Sequence, residues 1–342
     1  MELNSDTPTL GTVALHGNGL AVARCGDLLI DMGFKVQRVL WHPQLPSQAR
    51  KKSRFLEYYG HRHRPVRWNL SSEAQDGGLS HDESRLSNVD IFIYDSLLPA
   101  ETLDALREEV PVVCSLTPFG MSMSTCEDEY SEVFTEAVTG LMATNGYPSA
   151  PPRVAGFPIA AHLGAIAAAT ASLAALLQYR TSGKRVIVDA AWFDACMIVP
   201  GTFLGKRDLD PKVGNRHPSA APWSSYSARD GEVVICCGDN GQWLRLLGAM
   251  DLPELATDSR FQNVESRVHN VASLDEVVQG WVSKHSVEEV VHLLWEARVP
   301  VADVLTPSAV LEKLIAEGYA EWSLDETGSL HLVPSPLVRI EG

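Results

Sequence analysis

The spacing of apolar and polar positions changes several times along the chain, and each change marks an element. Residues 12–16 (Thr-Val-Ala-Leu-His) form a short apolar run, closed by the turn-forming Gly17-Asn18-Gly19. Residues 20–32 carry apolar side chains at helical spacing and stop at Gly33, a good C-terminal residue for a helix. Residues 35–41 then alternate as a strand does. Strand, helix and strand in this order begin a parallel α/β layer. A further strand is predicted over 89–94, a helix over 100–109, and a strand buried on both faces over 110–116. Residues 71–88, rich in Ser, Asp and Gly, read as a surface excursion. Residues 128–143 look helical, and 147–152 are a turn-rich break. The longest helix is predicted over 160–178. Its alanines allow close backbone approach and place it in the middle of the packing.

The character changes near 200–213, a polar link. Beyond it, 225–228 and 232–237 read as strands around Arg229-Asp230-Gly231. Helices follow over 241–250, 274–284, 287–297 and 308–317, with Ser286 and Glu289 spaced as a capping box. A closing hairpin is expected around Glu326-Thr327-Gly328. The fold class is therefore α/β: a large doubly wound α/β domain, 1–204 completed by 313–342, plus a smaller α+β domain over 205–312. A length of 342 residues suits two domains.

Composition narrows the function. With 45% apolar and 21% charged residues the chain is neither a low-complexity polymer nor a disordered tail. Lys and Arg number 28 against 43 Asp and Glu, a net charge of −15. Bulk charge of this sign does not grip a nucleic-acid backbone, so no nucleic-acid partner is expected. No apolar run is read as approaching the ~20 residues of a membrane span, and no targeting segment is visible at the start. Cysteines stand at 25, 114, 126, 196, 236 and 237, with no zinc spacing, and read as reduced thiols of a cytoplasmic protein. No metal site is expected.

Generic motifs leave the chemistry open. Gly17-Asn18-Gly19 lacks the third glycine of a dinucleotide fingerprint, since position 22 is Val. His61-Arg62-His63-Arg64 is the one dense basic spot, either a solvated loop or a local anion clamp.

One stretch is more specific. Gly214-Asn215-Arg216-His217-Pro218, Ala221-Pro222, Tyr226, Asp230-Gly231, and then Gly238-Asp239-Asn240-Gly241-Gln242-Trp243 follow in order. Leu116-Thr117-Pro118-Phe119-Gly120, Thr139-Gly140-Leu141-Met142, Pro151-Pro152-Arg153-Val154, Pro158-Ile159-Ala160 and Gly183-Lys184-Arg185 with Asp189 stand ahead of it. This pattern resembles the family III CoA-transferases, the CaiB/BaiF group, from about residue 110 to 312.

The resemblance implies a two-domain chain that interlocks with a second as paired rings, a homodimer or a heterodimer with a related member. It implies CoA transfer from an acyl-CoA to a free carboxylic acid through an enzyme-bound anhydride and acyl-CoA adduct, with CoA as substrate and no bound cofactor. The family carboxylate is expected eight residues before Gly140, which is Glu132 here in place of an Asp. Glu132 is thus the candidate nucleophile. The alternative makes it a supporting residue in an acidic surface patch with Glu127, Asp128, Glu129 and Glu136. Gly238, Asp239, Asn240, Gly241 and Gln242 would form the glycine loop. Asn18, Gly19, His61, Arg62 and Arg64 would lie near CoA. Asp95 falls where the family has a ligand-binding Asn-Phe-Arg segment, and it would repel a phosphate. His162 stands near a family Asp, as a packed histidine or a base. A catalytically weak member that completes a heteromer, and a repurposed acyl-CoA binder, are the alternatives.

Overall fold

The structure is a computed structural model that describes residues 9–17, 19–41, 64–68, 88–96, 98–121, 132–199, 214–324 and 330–334. The chain divides into two compact units. One comprises 1–144, 153–207 and 320–342, the other 145–152 and 208–319. The second boundary thus falls after residue 319 rather than after 312, and 145–152 belong to the second unit, not the first. Gly214 N–H donates to the Gly146 carbonyl, which ties this short piece to the start of the second unit.

The first unit is built on six parallel strands in the order β3-β2-β1-β4-β5-β6. They are β1 (Thr12–His16), β2 (Lys35–Trp41), β3 (Arg64–Trp68), β4 (Ile91–Tyr94), β5 (Val112–Thr117) and β6 (Val186–Ala191). This strand order is that of doubly wound nucleotide-binding sheets, with the direction of winding reversing between β1 and β4. Apolar side chains on both faces of the inner strands explain why all four residues of β4 are buried. On one face, α1 (Leu20–Asp31) and the long α5 (Ile159–Ser182) pack on Val13, Leu15, Ile91, Ile93, Val112 and Cys114. On the other, α2 (Ala100–Glu109) brings Leu106 against Phe92, Tyr94 and Val113.

By length and composition α5 would suffice for a membrane span, a feature hidden in the sequence because its apolar residues are mostly alanines. Ala160, Ala161, Gly164, Ala165, Ala168 and Ala169 are buried, so the helix is a core element. A Cβ at Gly164 would lie 2.6 Å from the Trp192 ring, which fixes how closely α6 (Trp192–Met197) approaches. The helix runs to Ser182, four residues past the expected end, and stops where Gly183 takes a left-handed φ of 69°. The helix expected over 128–143 is instead two short ones, α3 (Glu132–Val138) and α4 (Leu141–Thr144). Gly140 between them has φ +81°, a conformation that ends a helix. Residues 122–131 lie outside the description. β10 (Ala320–Leu324) and β11 (Leu330–Pro334) form the expected hairpin.

The second unit is an antiparallel sheet β7-β8-β9 covered by helices. Its strands are β7 (Trp223–Ser227), β8 (Glu232–Cys236) and β9 (Val301–Asp303), the last too short to show an alternating pattern. Its helices are α7 (Asn240–Met250), α8 (Val264–His269), α9 (Val271–Val282), α10 (Val287–Glu296) and α11 (Pro307–Ala316). The capping box at Ser286 and Glu289 forms in full.

The core of this unit contains a charge. Arg267 is fully buried and donates to the carbonyls of Ala221 at 2.7 Å and Phe261 at 3.1 Å and to Asn240 Oδ1 at 3.0 Å, with its guanidinium over Trp243. Truncation to Arg267→Ala should leave these acceptors unsatisfied and cost more than about 3 kcal/mol. Arg229→Ala removes only an exposed pair with Glu289 and should leave the urea midpoint where it is. Urea unfolding followed by tryptophan fluorescence checks both; equal midpoints for the two variants would contradict the assignment.

Candidate active site

The first unit seats a carboxylate on the end of its longest helix. Glu132 opens α3 and is half-buried. Its two oxygens accept separately: Oε1 from the Ala160 N–H in a short contact, and Oε2 from the Ala161 N–H at 3.0 Å. These are first-turn amides of α5, with no partner inside the helix, and the helix dipole adds to their pull on an anion. No N-terminal side chain of α5 caps it, so Glu132 serves that purpose from another element. Burial pushes the Glu132 carboxyl up, the two amides pull it back, and the nearby charge of Glu136 pushes it up again. The net effect lies above the usual carboxylate range.

Glu136, one turn on, is not part of a solvated patch: it is 1% exposed, and its Oε2 accepts from the Ala155 N–H at 2.8 Å. Cys196 of α6 feels both carboxylates; burial and then their charge push its thiol to about 11, so it is not a thiolate nucleophile. His162 points one ring nitrogen, Nδ1, at the Pro158 carbonyl one turn back in its own helix, 2.6 Å away. That contact fits the packed reading. Among the described residues no group of His, Cys, Asp and Glu is arranged to hold a metal.

The expected CoA contacts fare differently. Asn18, His61 and Arg62 lie outside the described residues, as does the side chain of Arg64 at the start of β3. Gly19 is described, and its amide is already taken. It donates to Asp95 Oδ2 at 2.6 Å. A Cβ at Gly17 would fall 1.7 Å from Asp95 Oδ1, and one at Gly19 2.4 Å from Oδ2. Glycine is needed at both places because the chain's own carboxylate fills the space. In this structure the amide expected to lie near CoA is thus bonded to Asp95. Arg38 donates to the Gly17 carbonyl at 3.1 Å and completes this closed turn.

In the second unit the glycine loop is the cap of α7. Asp239 accepts from the Gln242 N–H at 2.7 Å, and Gln242 Oε1 accepts from the Gly238 N–H at 2.6 Å. Asn240 is held from below by Arg267. Gly241 makes room, since a Cβ there would sit 3.2 Å from Asp239 Oδ1. The loop and Glu132 belong to different units. The sequence reading names Glu136 only as part of an acidic patch and does not name Arg267, the buried residue that holds Asn240. The helical spacing of Glu132 and Glu136 was the available signal for one, and nothing local signals the other.

Residues 98–338 match the sequence profile of CoA-transferase family III. The chain is 28% identical to acetyl-CoA:oxalate CoA-transferase of Acetobacter aceti over 238 residues, 68% of this chain and 60% of that one. It is 30% identical to succinyl-CoA–D-citramalate CoA-transferase of Chloroflexus aurantiacus over 181 residues, 52% of this chain and 45% of that one. The matched stretch thus spans about half to three-fifths of these relatives. In fold it resembles a CaiB/BaiF family protein from Brucella suis, with a TM-score of 0.75, 22% identity, and coverage of 97% of this chain and 92% of the other. The profile match over most of the chain, with the parallel sheet of the same fold beneath it, makes this chain a member of CoA-transferase family III.

Proposed function

We propose that this chain transfers CoA from an acyl-CoA to a free carboxylic acid, with Glu132 as the nucleophile. The observation that carries the reading is a half-buried carboxylate bound at both oxygens by the N-terminal amides of α5.

A Glu132 oxygen attacks the thioester carbon, the C–S bond breaks, and CoA thiolate leaves an anhydride between Glu132 and the acyl group. The thiolate attacks the Glu132 carbon of that anhydride, the donor acid departs as its carboxylate, and Glu132 becomes a thioester of CoA. The acceptor carboxylate repeats the first step on this thioester, and the released thiolate then takes the acceptor's acyl carbon. Glu132 returns as a carboxylate. One hard displacement becomes several easier ones. In the middle steps the Glu132 carbonyl oxygen gains negative charge, and whichever of the Ala160 and Ala161 amides bonds that oxygen supplies one donor to it.

The family resemblance supports a dimer, homo- or hetero-, and the surface agrees with cover by another chain. Val133, Phe134 and Val138 are close to half exposed on α3, and Ile198 is 80% exposed. The cytoplasm suits CoA thioesters and reduced thiols. A second reading makes the chain the weak subunit of a heteromer. Asp95 favours it, because a carboxylate fills the turn at the β1/β4 switch point, where doubly wound sheets usually bind ligands. One relative, from Chloroflexus aurantiacus, is named as a beta subunit of a succinyl-CoA–L-malate CoA-transferase.

Exchange of labelled carboxylic acids into a panel of acyl-CoAs tests the proposal. Glu132→Gln should abolish exchange while circular dichroism stays native. Glu132→Asp should retain a residue of activity about 100-fold down, since the shorter side chain withdraws the oxygens by more than an ångström. An active Glu132→Gln enzyme would sink the assignment. The pH dependence has a definite sign. Glu132 attacks only when ionised, and its carboxyl is raised. Activity should fall on acidification with a midpoint above the ~4.3 of an ordinary glutamate. An acid limb at or below that value would show that another group carries the reaction.

A further inference from the structure

Where the winding of the six-stranded sheet reverses, between β1 and β4, the chain has placed a negative charge of its own. In doubly wound sheets the crevice at the carboxyl ends of such strands takes the ligand, and a phosphate there sits on the N-terminus of the helix that follows. Here that helix is α1, entered through Gly17 and Gly19, and the group bound at its entry is the Asp95 carboxylate. We propose that Asp95 is a resident anion that takes the place of a ligand phosphate and shuts the β1–α1 turn to diphosphate groups. This closure is independent of which residue is the nucleophile of the proposed transfer.

Asp95 is held by its backbone and its side chain at once. Its N–H donates to the His16 carbonyl at 3.2 Å, one step beyond the pairing of His16 with Tyr94 in the β1–β4 ladder. The backbone of Asp95 is thus fixed beside the end of β1, and its side chain reaches across to the turn. There Oδ2 accepts from the Gly19 N–H at 2.6 Å, a short bond of the kind an ionised acceptor makes. Arg38 of β2 donates to the Gly17 carbonyl at 3.1 Å, so a carbonyl of the turn as well as an amide is bonded within the chain. The conformation of Gly19 separates a filled site from an ordinary glycine turn. Its φ of −74° and ψ of 152° are open to any residue, so its backbone does not call for glycine. What stands against a side chain there is Asp95, whose Oδ2 lies where a Cβ would go. The space at Gly19 is therefore kept for the carboxylate. A second anion brought to this part-buried turn would meet the first at contact distance, where repulsion is stronger than in water.

The test is an amide NMR titration of full-length, glycine-labelled protein with inorganic pyrophosphate, the Gly19 signal being identified by its loss in Gly19→Ala. In the wild type pyrophosphate should leave the Gly19 signal unmoved. In Asp95→Ala the turn is empty and uncharged. Pyrophosphate should then shift Gly19, and calorimetry should show it bound at least about tenfold more tightly than by the wild type, the worth of one charge-assisted hydrogen bond. Asp95→Asn keeps the volume and an acceptor for Gly19 and removes only the charge. As the milder change it should show the same shift at weaker affinity. The filled space has its own readout. Gly19→Ala should lower the urea midpoint of the wild type, and lower it less in an Asp95→Ala background, where the side chain it would displace is already gone. A Gly19 signal that pyrophosphate moves equally in the wild type and both variants would overturn the proposal. So would folded variants in which Gly19 stays unmoved, tighter binding with no response at Gly19 (an adventitious ion only), or an equal cost of Gly19→Ala in both backgrounds.

Discussion

A carboxylate held on the bare N-terminus of a buried helix is the interaction on which the rest depends. α5 is a stack of small residues packed between α1, the sheet and α6, so it has little freedom to shift. Its first amides have no cap of their own, and Glu132 supplies one from another part of the chain. The rigidity of the core is thereby passed to a single side chain. A carboxylate fixed in this way is a structural cap, and under the proposed function it is also a preorganised reactant.

Carboxylates lock loops elsewhere in the first unit as well. Asp90 accepts from the Thr12 N–H at 2.7 Å beside Gly11, Asp95 from Gly19 at 2.6 Å, and Asp189 from Met121 at 2.9 Å beside Gly120. In each case a glycine leaves the space that the carboxylate fills. An acidic chain of net charge −15 has in this way turned some of its charge inward, onto backbone N–H groups. The consequence at β1 and β4 is specific. The turn that a ligand usually occupies in such a sheet holds Asp95.

Much of the fold was legible because its signals are local. The β1-α1-β2 start, the stop at Gly33 and the Ser286 capping box each depend on a few neighbouring residues, and the structure has all three. β9 was missed because three residues cannot show a period, and it exists through its pairing with β8. The break at Gly140 was read through because apolar residues continue on either side. In the candidate site, Glu132 is singled out by resemblance alone. Its partners on α5 lie 28 and 29 residues away in sequence and no local pattern points to them. Glu136 was placed in a solvated patch because a glutamate on a short helix is ordinarily exposed; only the tertiary packing turns that face inward. Arg267 was unremarked for the same reason, since a lone arginine gives no sign that four oxygens and a tryptophan surround it.

The central claim is that Glu132 becomes covalently joined to CoA during turnover. The direct measurement is peptide mass spectrometry of the protein after brief incubation with acyl-CoA donors and rapid acid quench. The account predicts a CoA adduct on the peptide that contains Glu132, formed with the wild type and absent from Glu132→Gln. An adduct on any other residue, or transfer that proceeds with Glu132 unmodified, would contradict it.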